Sequence, residues 1–217
     1  SASFSGTTWQ YDFVTGEDFI EIEVEPKAQP KADDPQTVGV KSISIAQIEK
    51  EASEDNKPTV FVLGDSTQKT YTFEENSMSG WGQTIAQMFD LDKVNVVNYS
   101  MGGRSMKANY QEGRFDDILM TAKPGDYVLI HSAHNDESTG NSAGPEARFG
   151  RGSNTATYTN WLHKIYIPSM KVMGLNPVLV TGMPRTNNGV VKSGFNPNSV
   201  SIMRAAAEAD SSVKCID

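Results

Sequence analysis

One cysteine, Cys215, stands among 217 residues, so no disulfide can form within the chain and its redox compartment stays open. Histidine is almost as scarce, with three in all, at positions 131, 134 and 163. Long apolar runs are missing too. None approaches the roughly 20 residues that a membrane-spanning helix needs, which argues against a membrane partner. Basic residues are in the minority, 19 Lys and Arg against 27 Asp and Glu, and the net charge is −8. That balance argues against a nucleic-acid partner, whose phosphates call for a basic face. The sequence opens without an initiator Met or a basic-then-apolar leader, as expected of a chain whose signal peptide is already removed or was never there.

The remaining composition is that of a globular protein, and its length suits one well-cored domain with some decoration, or two small ones. Residues 1–56 read differently from the rest. In "FIEIEVEP", Ile20, Ile22 and Val24 alternate with Glu21, Glu23 and Glu25, a period of two that predicts a strand with one wet face. "PKAQPKADDPQ" follows as a linker or exposed loop, and "VGVKSISIAQIEKE" reads as a further strand. This segment is a β-extension packed on the main domain or the tail of a longer β-domain upstream.

From Lys57 to Asp217 the pattern alternates strand and helix. "TVFVLG", "VNVVNYS", "YVLIHS", "NPVLVTGMP" and "SVKCID" are the strands. "GWGQTIAQMFDL", "RFDDILMTA", a stretch from about Thr155 to Val172 ended by Gly174, and "NSVSIMRAAAEAD" are the helices. Strands that are almost wholly apolar predict an α/β domain, a doubly wound parallel five-stranded sheet covered on both faces.

The chemistry sits just past the strands. Gly64-Asp65-Ser66-Thr67 follows the first, Gly102-Gly103-Arg104-Ser105 the second, and His134-Asn135-Asp136 the third. In a doubly wound sheet these ends converge on one rim. A serine hydroxyl, backbone N–H groups in a glycine turn and an asparagine amide are the ingredients of acyl transfer: a nucleophile and donors for the oxyanion. Each motif alone is an ordinary turn; together at three successive strand ends they favour chemistry.

These three motifs resemble the first three signature blocks of the SGNH (GDSL) hydrolases, and more closely the rhamnogalacturonan acetylesterase-like group, carbohydrate esterase family 12. Trp81-Gly82 and the "PVLVTGMPR" strand ending at Arg185 are similar to that group as well. The resemblance covers residues 57 to 217. It implies a three-layer α/β/α sandwich of flavodoxin type, with Ser66 as nucleophile. The implied oxyanion donors are the backbone N–H of Ser66 and of Gly103 and the side-chain amide of Asn135. It implies a secreted, extracellular esterase that removes O-acetyl groups from plant cell-wall polysaccharide without a cofactor. An acetylated neutral polymer such as xylan is the alternative substrate, and a carbohydrate-binding protein lacking a base is the non-enzymatic alternative.

The family's base is a histidine in a late Asp-x-x-His block, and no such block lies within these residues. Three explanations stand: the segment is cut away or carried on a second polypeptide, the residues end where order ends, or His134 serves as base. Ser100 in "NYSMG" is a rival nucleophile, near the G-x-S-x-G pattern but with Asn98 at its first position. His131, His134 and Asp136 have too few partners for a zinc site, so no metal is expected. Asp65, Arg104, His134, Arg148 and Arg151 are the candidate substrate-binding residues, the arginines because their forks bind carboxylates bidentately. Trp81, Tyr110, Phe149 and Tyr158 are candidates to stack on sugar rings.

Overall fold

The computed structural model describes residues 39–47, 55–72, 74–75, 78–136, 155–184, 186–191 and 197–217. The chain runs through β1 (Thr59–Gly64), α1 (Trp81–Thr84) with a 3₁₀ turn (Ile85–Met88), β2 (Asn95–Asn98), α2 (Met106–Gln111), α3 (Arg114–Thr121) and β3 (Tyr127–His131). A long helix follows in three parts: α4 (Thr155–Asn160), a π-helical segment (Trp161–Tyr166) and α5 (Ile167–Val172). Then come β4 (Asn176–Val180), a small hairpin of β5 (Thr186–Asn187) and β6 (Val190–Val191), α6 (Pro197–Ala209) and β7 (Lys214–Ile216).

The five longer strands form one parallel sheet in the order β2-β1-β3-β4-β7. β1 sits between two neighbours and is buried along its whole length, which explains why "TVFVL" is apolar at every position rather than at every second one. The order reverses direction once, between β1 and β3. Right-handed crossovers place a connecting helix on one face when the chain moves one way along the sheet and on the other when it moves back. Only the β1-to-β2 crossover runs in its direction, so α1 and its 3₁₀ turn cover the face lined by Val60, Leu129 and Val178. The crossovers after β2, β3 and β4 run the other way. Residues of α2 through α6, among them Phe115, Leu162, Tyr166 and Met203, accordingly join Phe61, Leu63 and Ile130 in one core on the opposite face.

The fold is thus the parallel, doubly wound α/β sheet of the flavodoxin-like order, with one correction: among the described residues the helices are divided unequally between the two faces. Other corrections are local. Residues 39–47 are exposed and hold no strand, against the strand expected in "VGVKSISIAQIEKE". The strand expected at "FIEIEVEP" lies outside the described residues. α2 was not anticipated; Ser105 starts it, its side chain accepting a hydrogen bond from Ala108 N at 3.1 Å. The long helix widens into a π segment before Pro168, which has no N–H to donate to the preceding turn. It stops at Gly174, whose φ of +68° suits glycine. Among the described residues no helix is long and apolar enough to cross a membrane.

Candidate active site

The reversal between β1 and β3 opens a crevice at the C-terminal ends of those strands, the place where open α/β sheets bind ligands. Gly64 ends β1 there. A Cβ at this position would lie 2.1 Å from Gln68 Oε1 and 2.7 Å from the His131 carbonyl, so the strand can only end on glycine. Gln68 Oε1 occupies that space because it accepts a hydrogen bond from Asp65 N at 2.8 Å. The Asp65 carbonyl in turn accepts from Gln68 N and Lys69 N, which rolls residues 65–69 into a single helical turn with Ser66 near its start. Ser66 is half-buried and lines an open cleft of about 530 Å³. Tyr71 fixes its backbone, the phenol hydroxyl donating to the Ser66 carbonyl at 2.8 Å.

α1 is docked on this turn. Trp81 N donates to the Thr67 carbonyl at 2.9 Å, and the glycines on either side allow the approach. A Cβ on Gly80 would sit 2.4 Å from the Lys69 carbonyl, and one on Gly82 2.4 Å from the Gln68 carbonyl.

From β2, the Gly102-Gly103 turn reaches Ser66: a Cβ on Gly102 would lie 3.8 Å from Ser66 Cβ. Gly103 has φ +80°, a left-handed conformation that costs glycine nothing. From β3, Asn135 Nδ2 donates to the Arg104 carbonyl at 3.0 Å, and the Asp136 carboxylate accepts from Met106 N at 3.0 Å. These two bonds latch the loop after β3 to the loop after β2 and to the start of α2. The structure therefore brings Ser66, Gly102-Gly103 and Asn135 to one rim.

Asp65 and His134 stand elsewhere than the sequence suggested. Both were expected to touch substrate, yet they are 0% and 4% exposed and lie beneath the rim. Asp65 Oδ1 accepts from Thr67 N and Thr67 Oγ1, both at 2.8 Å, while Oδ2 lies 3.6 Å from His134 Nδ1. Burial pushes the Asp65 carboxyl up, but the His134 imidazole beside it and the hydrogen bond from the Thr67 backbone outweigh that, and the net shift is downward. His134 Nε2 meets the Met183 carbonyl at 3.2 Å. Its ring therefore ties the wall of the cleft after β4 to the turn that carries Ser66. His131 stacks on it with ring centres 5.6 Å apart, and Trp81 meets His131 edge-on. Burial drives the His131 imidazole down to about 4, with Asp65 pulling it partly back up, so it is neutral near pH 7.

Other candidates are relocated as well. Arg104 has its Nε on both oxygens of Glu112, at 3.1 and 2.9 Å, and its Nη1 on the Gly102 carbonyl. It is thus a brace of the glycine turn whose charge is already met within the protein. Ser100 is 7% exposed and donates to the Val62 carbonyl at 3.5 Å, under the sheet end, which does not suit an exposed nucleophile. Tyr158 is in the core, its hydroxyl on the Ser132 carbonyl, and Tyr110 packs on Trp161; among the described residues of this set, Trp81 alone lines the cleft. Arg148, Phe149, Arg151 and Arg185 lie outside the described residues. Sequence reasoning missed Gln68, Tyr71 and Met183. Gln68 and Tyr71 follow the serine closely enough to be suspected, whereas nothing local marked Met183. Among the described residues no group of three or more His, Cys, Asp or Glu could hold a metal ion.

A serine, a glycine turn and an asparagine amide on the crevice of a flavodoxin-like sheet define an ester-hydrolase class. The family model for GDSL-like Lipase/Acylhydrolase matches residues 60–217, and the chain belongs to that family of ester hydrolases. Within it, the chain is 32% identical over 162 residues to the probable rhamnogalacturonan acetylesterase YesY of Bacillus subtilis, covering 73% of this chain and 69% of that protein. It is 32% identical over 126 residues to the rhamnogalacturonan acetylesterase RhgT of the same organism, and that match covers 58% of this chain and 49% of RhgT. The solved structure of Bacillus subtilis YxiM superposes with a TM-score of 0.59 at 28% identity, over 74% of this chain and 43% of that one.

Proposed function

We propose that this protein is a carbohydrate acetylesterase that removes O-acetyl groups from plant cell-wall polysaccharide of the rhamnogalacturonan type. The observation that carries this reading is the Gly102-Gly103 turn beside Ser66, with Asn135 bonded to the Arg104 carbonyl at the end of that turn. The names of the relatives YesY and RhgT supply the substrate class. Ser66 Oγ attacks the acetyl carbonyl and its proton passes to a base. The N–H groups of Ser66 and Gly103 and the amide of Asn135 hold the oxyanion. Collapse of that intermediate expels the sugar oxygen, which takes up the proton, and leaves acetyl-Ser66. Water then repeats the attack and releases acetate.

The base in this reading is a histidine of an Asp-x-x-His segment beyond these 217 residues, on the same protein or a second polypeptide. In support, neither ring nitrogen of His134 is directed to Ser66, since they meet Asp65 and Met183. A cell-wall substrate calls for an extracellular enzyme. The second reading, an acetylated neutral polymer such as xylan, is favoured by the net charge of −8, which repels a polyuronate.

The test is acetate release from acetylated rhamnogalacturonan and acetylxylan, with intact mass measured on the same material. Ser66→Ala is expected to lower turnover by about 10³-fold or more, because an alanine cannot form the acyl-enzyme. Undiminished release by Ser66→Ala would overturn the assignment, and loss with Ser100→Ala alone would transfer it to Ser100. No release by any form would favour a carbohydrate-binding protein.

A further inference from the structure

We propose that Arg104 and Glu112 are positioning residues, which act through the Gly102 carbonyl to aim the N–H of Gly103 at the oxyanion. This deepens the reading of the protein as a serine esterase and rests on that reading. A trans peptide is planar, so its carbonyl and its N–H point in opposite directions. Among the described residues no peptide is cis. Whatever holds the Gly102 carbonyl therefore sets the direction of the Gly103 N–H. That carbonyl accepts from Arg104 Nη1 at 2.9 Å. The bond matters because this peptide is otherwise easy to turn over. Glycine stands on both sides of it, with φ +80° at Gly103. A Cβ on Gly102 would meet Lys69 Cδ and Ser66 Cβ at ordinary contact distances of 3.7 and 3.8 Å, so packing leaves the peptide room to rotate.

The guanidinium is itself held. Its Nε donates to both oxygens of Glu112, at 3.1 and 2.9 Å, and because the group is planar and rigid this fixes where Nη1 points. Glu112 is fixed in turn at the joint of two helices. It caps the C-terminal end of α2, its N–H donating to the Ala108 carbonyl, and its Oε2 also accepts from Nε of Arg114, the first residue of α3, at 3.0 Å. Burial raises the Glu112 carboxyl, but the two arginines more than reverse this, so it stays ionised near neutral pH and keeps its hold. The Arg104 and Glu112 side chains are 34% and 20% exposed, so water competes only partly for the pair. The backbone of Arg104 adds a second contact, its carbonyl accepting from Asn135 Nδ2 at 3.0 Å. One residue thus touches two of the three groups proposed as oxyanion donors. Such donors are effective when they are already aimed as the charge develops.

The test measures acetate release by the full-length protein from acetylated rhamnogalacturonan and from p-nitrophenyl acetate, a small ester with no carboxylate to bind. Arg104→Met is expected to lower kcat about 10- to 100-fold on both esters, with KM on the polymer changed by less than about twofold. Glu112→Gln keeps the side chain's shape and one acceptor, and is expected to lower kcat about threefold or more in the same pattern. The double variant is expected to lose no more than Arg104→Met alone, because both changes act on one carbonyl. Crystals of Arg104→Met are expected to show the Gly102–Gly103 peptide turned. An unturned peptide would overturn the proposal, as would an unchanged kcat on p-nitrophenyl acetate in either single variant. So would a rise in polymer KM alone, which would make Arg104 a substrate contact, or losses that multiply in the double variant. If Arg104→Met does not fold, Glu112→Gln decides by itself. Ser66→Ala is the control for the esterase reading: if it stays active that reading fails, while the orientation of the peptide in the crystal still decides the role of Arg104.

Discussion

Gly64 and Asn135 show how much of the site rests on single side chains, or on the lack of one. Gly64 leaves room for Gln68, and Gln68 holds the turn that carries Ser66. Gly64→Ala drives a methyl group against a backbone carbonyl as well as against a flexible amide, and only the amide can move away. We expect a loss of about 2–3 kcal/mol in urea denaturation, with Gly102→Ala, which meets nothing closer than 3.7 Å, losing less. Asn135 both latches two loops and, in the proposed mechanism, donates to the oxyanion. Asn135→Ala should lower kcat about 10²- to 10³-fold with little change in KM, read by steady-state acetate release, because an oxyanion donor acts in the transition state. A parallel rise in KM would instead indicate that the loop had moved. The motifs around both residues were legible in the sequence because turn chemistry is local. That Asp65 lies under the rim was not, since burial depends on residues far away in the chain, such as His134.

Short elements position the site, and their termini matter more than their lengths. α2 spans only Met106–Gln111, and its first turn is fixed by Ser105 and by the Asp136 carboxylate on Met106 N. Ser105→Ala should cost about 1 kcal/mol of stability, measured by chemical denaturation, with a further fall in activity because the Gly102–Arg104 turn leads directly into this cap. The strands were legible from their apolar runs and the long helix from its spacing and from Gly174. α2 escaped because six residues give too little periodicity to register. The division of the long helix into α and π segments escaped because it depends on how Pro168 is accommodated in a packed helix.

At the scale of the whole molecule, the buried His131 imidazole makes stability depend on pH. His131 titrates near 4 when folded and near 6.5 when unfolded. Above pH 6.5 it is neutral in both states and has no effect on the balance. As pH falls toward 4 the unfolded chain takes up a proton that the folded one refuses, so the folded state loses up to about 3 kcal/mol over that window. Asp65, held low when folded, adds a loss in the same direction as pH falls through the ordinary carboxylate range. Urea midpoints at pH 7 and pH 4.5 should therefore differ, and His131→Leu should remove much of the difference. An unchanged difference in that variant would assign the pH dependence to other groups.

The sequence by itself determined the five strands, their parallel arrangement, the three motifs at their ends and the family to which they belong. Each of these is written in short-range terms: apolar runs of strand length, a glycine where the backbone must turn, a hydroxyl or amide beside it. Only the tertiary structure decided that α2 through α6 share one face and that Ser100 is under the sheet. It also decided that Arg104 is spent on Glu112 and that His134 meets the Met183 carbonyl. Those outcomes follow from the handedness of crossovers and from which distant groups meet in space. Neighbouring positions in a chain do not encode such meetings, because desolvation and charge pairing act through distance and not along the backbone.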